Sequence, residues 1–176
     1  MAAFTDLDWR RFDVAAIVNG RGIGVVAPHR ADACRSWLRN QGYSVESWDF
    51  GEGIGHAMPL IGERLRWVEQ FGYALTPESR NLDALRDGFL SEEWGAAPVA
   101  LELRRAERAW REDGSWFMSV LAICQEQSLC SLAVGRRFLT LLVLEASSPL
   151  VGQQVDSVAV PRAFWQPGPP DTEFTV

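Results

Sequence analysis

Phe138-Leu139-Thr140-Leu141-Leu142-Val143-Leu144 is an apolar run broken by a single hydroxyl. A strand with one face in water alternates polar and apolar residues, whereas a strand covered on both faces has no need to. The run therefore predicts a strand of a parallel sheet with helices on either side. Pro98 to Arg104 predicts a second strand, with Val99, Leu101 and Leu103 alternating inward. Tyr43 to Phe50 predicts a third.

Helical spacing fills the gaps between these strands. Residues 30 to 41 place Ala31, Cys34, Trp37 and Leu38 on one face, and Gly42 is a natural stop. Pro59 to Phe71 places Ile61, Leu65 and Val68 one turn apart, with Pro59 in the first turn and Gly72 at the end. A second helix is predicted over roughly residues 80 to 90, and a short one over Ala106 to Arg111. Ser115 is the expected N-cap of a helix running to about Gln127, with Phe117, Val120, Leu121 and Cys124 as its apolar stripe. From Tyr43 onward the order is strand, helix, helix, strand, helix, strand. That order predicts an α/β fold with a small parallel sheet covered by helices.

The flanks are read differently. Val14 to Val18, then Asn19-Gly20, then Ile23 to Ala27 predict a β-hairpin turning on the Asn-Gly pair. This hairpin and the helix after it form an N-terminal addition, residues 1–42. Residues 146–176 carry Pro161, Pro167, Pro169 and Pro170 around Phe164 and Trp165, which rules out a regular helix and predicts an extended tail. The chain thus divides into one α/β domain over 1–145 and a tail over 146–176.

With 176 residues, 47% of them hydrophobic, there is material for one real core. The formal net charge of -6 disfavours direct binding to nucleic acid, where cations must replace the counterions of the phosphates. It favours a basic protein partner instead. No apolar run reaches membrane-spanning length, and no signal-peptide pattern opens the chain. Cys34, Cys124 and Cys130 are odd in number and form no Cys-x-x-Cys pair, which points to free thiols in a reducing cytoplasm.

Small-molecule chemistry finds little support. Gly51-Glu52-Gly53-Ile54-Gly55 lies between a predicted strand and a helix, but its spacing is not that of a dinucleotide loop, so it reads as a flexible loop. His29 and His56 have no ligand partner one turn away. No nucleophile, base and oxyanion site come together, so no enzyme activity, cofactor or metal is expected.

The segment Arg80 to Leu90 stands apart. Leu82, Leu85 and Phe89 fall on one face, and Asp83 and Asp87 stack one turn apart on the other. Two such carboxylates repel by about 0.2–0.5 kcal/mol on an isolated helix, so local stability does not call for them. An Arg80–Asp83 pair on a solvated face is the plain alternative, helped by the helix dipole at Asp83.

Asn81-Leu82-Asp83-Ala84-Leu85-x-Asp87 resembles the most recognisable motif of the barstar family of ribonuclease inhibitors. The similarity runs in order through Pro98-Val99-Ala100-Leu101-Glu102, the helix at Ser119-Val120-Leu121 and the Phe138 to Leu144 strand, over about residues 43–145. The resemblance implies a barstar-like fold and an inhibitor or immunity protein. Such a protein blocks a cognate ribonuclease or nuclease toxin by offering carboxylates where RNA would offer phosphates. It implies that Asp87 is the central anion against the enzyme's arginines and catalytic histidine, and that Asp83 makes a second charged contact. Asn81 and Leu82 would line the helix entry, Trp94 would be an aromatic contact in the following loop, and Glu126 an outlying acidic contact. Arg86 stands where the family commonly carries tryptophan, and Pro77-Glu78-Ser79-Arg80 replaces a Tyr-Tyr-Gly-like stretch. With two arginines beside the acidic residues, the expected partner is a related but different toxin, either another ribonuclease or a nuclease of mixed-charge site. The alternative is an interaction scaffold with a regulatory or assembly role and no nuclease target.

Overall fold

The computed structural model describes residues 11–90, 97–156 and 158–166. Four parallel strands form the central sheet: β1 (Ile23–Val26), β2 (Ser44–Asp49), β3 (Val99–Arg104) and β4 (Phe138–Val143), in the order β1-β4-β3-β2. Strand β4 lies in the middle, and all six of its residues are buried. Phe138 and Leu142 face one core cluster, while Leu139, Leu141 and Val143 face the other. This is the two-sided burial that its unbroken apolar run requires.

The helices cover both faces. Helices α1 (Phe12–Asn19) and α2 (Ala31–Asn40) lie on one side, where Ile17, Cys34 and Leu38 pack against Leu139 and Leu141. On the other side are α3 (Ile54–Arg64), α4 (Trp67–Phe71), α5 (Leu82–Leu90), α6 (Ala106–Glu112) and α7 (Gly114–Ala133). Their Met58, Trp67, Phe89, Phe117 and Leu121 join Phe50, Leu101 and Phe138 in the larger cluster. The expected α/β architecture, a small parallel sheet under helices, is what the chain forms.

The N-terminal hairpin is not formed. Residues 12–19 are helical, and β1 pairs in parallel with β4 rather than with a neighbouring strand. Val14 and Ile17 are three apart and buried, whereas Val18 and Asn19 face water, so the segment carries a helical stripe too short to tell from a strand by pattern. The left-handed turn falls on Arg21 (φ 47°) and Gly22 (φ 82°), two residues beyond the Asn-Gly pair. A Cβ at position 22 would overlap the Ser128 side chain, so glycine is required there both for its torsion and for space.

Two helices also differ in their bounds from the sequence expectation. The helix expected over Pro59 to Phe71 begins earlier and is broken. Gly53 (φ 95°) starts α3, whose Ile54, Ala57, Met58 and Ile61 form its buried stripe, and Pro59 sits mid-helix on the exposed side. There the carbonyl freed by the missing N–H can reach water. Arg66 (φ 50°) then ends the helix and lets Trp67 turn fully inward. Helix α7 is capped by Asp113 rather than Ser115, since the Asp113 carboxylate accepts from Trp116 N at 3.0 Å. It also runs six residues beyond Gln127, to Ala133.

After β4 the chain turns back over the molecule. Leu150, Val155 and Val160 enter the larger core, a short hairpin pairs Gln154–Val155 (β5) with Val158–Ala159 (β6), and Trp165 N donates to Val25 O at 2.8 Å. Phe164 thereby bridges the free edge of β1, and a covered edge cannot template pairing with another chain.

Candidate functional site: the acidic face of α5

Helix α5 is set by its N-terminus and one face. Asn81 is the N-cap: its side-chain oxygen accepts from Asp83 N at 2.9 Å and from Ala84 N at 3.3 Å. Leu85 and Phe89 are buried, and Leu82 packs partly against the same core. Phe89 meets Trp48 and Phe138 edge-on, with ring centroids 5.5 and 6.0 Å away. These contacts fix the rotation of the helix, so Asp83, Arg86 and Asp87 must face outward.

The outward face is a small charge network. The Asp83 side chain is 89% exposed, and its Oδ1 lies 3.5 Å from Arg86 Nη1. Arg86 Nε donates to Glu126 Oε2 on α7 at 2.6 Å. Asp87 is exposed and has no ion pair or side-chain hydrogen bond among the described residues. Asp83, Asp87 and Glu126 against Arg86 leave two negative charges in excess, so the arginine sits inside the network without cancelling it.

The pair weighed from the sequence, Arg80–Asp83, is not formed. Arg80 turns away to Asp113 Oδ2 at 2.6 Å and lies over the Trp116 ring, 5.9 Å from its centroid. The carboxyl of Asp113 is held below the usual carboxylate range, first by the Trp116 N–H, then by the Ser115 hydroxyl and Arg80. Both arginines near the motif are thus bound to carboxylates of α7 or its cap. The structure brings Asn81, Leu82, Asp83, Arg86, Asp87 and Glu126 together; Trp94 lies outside the described residues.

The face is a surface rather than a cleft. Beside it, Arg80, Asn81, Leu85 and Trp116 line a void of about 10 Å³, water-sized at most. A surface of this kind suits another macromolecule better than a metabolite. Among the described residues there is no cluster of histidine, cysteine and carboxylate side chains able to hold a metal ion. No helix among them is long and apolar enough to cross a membrane.

The glycine loop before α3 is tied down rather than free. Gly51 N donates to Asp49 Oδ1 at 2.9 Å, and Gly53 N to Phe50 O at 2.9 Å. Ile54 N, in the first turn of α3, donates to Glu112 Oε2 of α6 at 3.0 Å. A carboxylate of the chain itself therefore occupies the place where a phosphate would bind at a helix start.

No family model matches the chain, and neither a curated protein nor a solved structure matches it.

Proposed function

We propose that this protein is a barstar-like inhibitor that binds a basic nuclease through the outward face of α5. The observation that carries this reading is Asp87: an exposed carboxylate on the outward face of a helix seated by its buried residues, with no charged partner among the described residues. Such a group costs a folded protein a little in repulsion and repays it only against an external cation. Arginine forks that hold phosphate accept carboxylate in the same geometry, so the α5 face can stand in for a nucleic-acid backbone. The position of Asp83, one turn earlier, allows a second contact. Arg86, held by Glu126 and Asp83, offers its remaining N–H donors to an acidic residue of the partner, which suits a nuclease site of mixed charge.

The test is inhibition. The reading expects a basic ribonuclease to be encoded beside its own reading frame, and titrated into that enzyme the purified chain should inhibit stoichiometrically and without turnover. Asp87→Ala should weaken inhibition by about tenfold or more, while Glu69→Ala, an exposed carboxylate on α4, should leave it unchanged. If that nuclease is neither bound nor inhibited, or if Asp83→Ala/Asp87→Ala inhibits as well as the parent, the reading falls.

A further inference from the structure

The carboxyl ends of the four parallel strands open onto a crevice of about 570 Å³. In open parallel sheets, ligands collect at this end, where the loops of neighbouring strands leave toward opposite faces. The neighbours β1 and β4 part in this way. The chain leaves β1 for α2 on one face, and leaves β4 for Leu150 and Val155 on the other. Pro28 lies beyond β1, Val143 ends β4, and both line the crevice.

Its chemistry is that of an anion site. Arg104, Arg105, Arg108 and Arg111 line it, against Asp49, Glu107 and Glu145. This is a local excess of one positive charge in a chain whose net charge is -6. Two of the four arginines are committed. Arg105 Nε donates to Asp49 Oδ1 at 2.6 Å and its second nitrogen reaches the other oxygen, while Arg111 pairs with Glu107 at 2.9 Å. The other two are not. Arg104 has only Glu102 at 4.0 Å, and Arg108, exposed on α6, has no charged partner among the described residues.

The backbone is shaped around this cluster. Arg105 adopts φ 53°, a left-handed torsion that is unfavourable for a side chain with a Cβ. A Cβ at Gly51 would overlap the Arg105 guanidinium, so glycine at 51 is what lets the fork lie across the loop. Strained torsions of this kind gather at ligand sites. The buried Ala106 and Ala109 fix α6 with Arg108 and Arg111 outward.

We propose that this crevice binds a small phosphate monoester, with the phosphate held between Arg104 and Arg108. A guanidinium fork matches phosphate oxygens in pairs. The volume falls within the range of small-molecule sites, leaving room for an organic remainder along Pro28 and Val143. The site is separate from the α5 face and does not depend on the reading of that face.

Calorimetric titration of the intact chain tests it, with adenosine 5′-monophosphate, glucose 6-phosphate and citrate as probes at about 0.1 M sodium chloride. Saturable 1:1 binding of at least one phosphate ester is expected, with a dissociation constant of about 1 mM or tighter. In Arg104→Ala/Arg108→Ala the affinity should fall about tenfold or more, and in Asp83→Ala/Asp87→Ala it should not change. Glu145→Gln, which removes a lining carboxylate and leaves both arginines in place, should tighten binding. The proposal is overturned if neither ester binds, if binding survives the arginine double variant, or if citrate binds as well as the esters.

Discussion

Arg86 on α5 and Glu126 on α7 meet at 2.6 Å, forty residues apart in the chain, and the same guanidinium lies 3.5 Å from Asp83. One arginine thus orients two carboxylates of the outward face. Both partners are nearly half exposed, so water screens the pair and its contribution to stability is small. In a double-mutant cycle of Arg86→Ala and Glu126→Ala, followed by urea unfolding, the coupling should lie below about 1 kcal/mol. A coupling several times larger would mean that the pair holds α5 to α7, and the face would then be structural.

Asp13 should behave in the opposite way. Its side chain is 0% exposed and receives Arg11 at 2.8 Å, the Tyr43 hydroxyl at 2.7 Å and Arg137 at 3.5 Å. Removing this buried anion leaves these donors facing each other, and Asp13→Ala should cost about 3 kcal/mol in urea unfolding. Tyr43→Phe, which deletes one hydrogen bond to that carboxylate and leaves the arginines in place, should cost about 2 kcal/mol.

Alkaline pH should weaken the fold through Tyr43. Burial, then the Asp13 charge and the hydrogen bond to it, push the phenol well above its ordinary range. In the folded chain the phenol keeps its proton, whereas in the unfolded chain it releases it above about pH 10. The unfolded state then holds fewer protons, so the contribution of Tyr43 is full below that pH and falls as pH rises. The chain has no lysine, and the buried thiols of Cys34 and Cys124, which ionise in the unfolded chain above about pH 8.5, add a slope of their own that is the same in the parent and in Tyr43→Phe. Tyr43→Phe should remove about 1.4 kcal/mol per pH unit of the alkaline slope measured by denaturant unfolding.

The three thiols should react unequally. Burial pushes Cys34 and Cys124 up to about 12, with Glu102 adding to the rise at Cys34, while Cys130 is exposed. Only the thiolate attacks a disulfide reagent. One thiol per chain should react rapidly with an aromatic disulfide at neutral pH, and three after denaturation. A Cys130→Ser variant should lose the fast phase entirely.

Acid should act on Asp113, whose carboxyl is held low by the Trp116 N–H, the Ser115 hydroxyl and Arg80. A group depressed in this way contributes stability above its unfolded value of about 4, and that contribution disappears as pH falls through the lower folded value. Asp113→Asn can still cap α7 but cannot ionise. Its melting temperature should therefore vary less with pH between about 5 and 2 than that of the parent, whereas Asp113→Ala should melt lower throughout.

The heart of the fold was legible because burial leaves a local mark. The runs at 98–104 and 138–144 are apolar because both faces of the sheet are covered, and Leu82, Leu85 and Phe89 repeat at helical spacing because α5 has one face in the core. The N-terminal segment left a weaker mark. Eight residues of helix carry too few turns to separate a 3.6-residue period from an apolar strand, and the partner of β1 lies more than a hundred residues away. The arginine crevice was not read from the sequence, although Arg104-Arg105-x-x-Arg108-x-x-Arg111 runs on directly from a predicted strand. What that run could not show is that Asp49, Pro28 and Glu145 close around it.

By itself, then, the sequence determined the sheet's two covered faces, the helices beside them and the outward position of Asp83 and Asp87, because each depends on which residues avoid water. The tertiary structure alone decided the charge pairings. Arg80 passes over Asp83 for Asp113, Arg86 reaches Glu126, and Arg105 locks onto Asp49, leaving Arg104 with only a distant Glu102 and Arg108 with no charged partner among the described residues. Long flexible cations choose among carboxylates by distance and desolvation in the folded chain, and neither quantity exists before the strands are assembled.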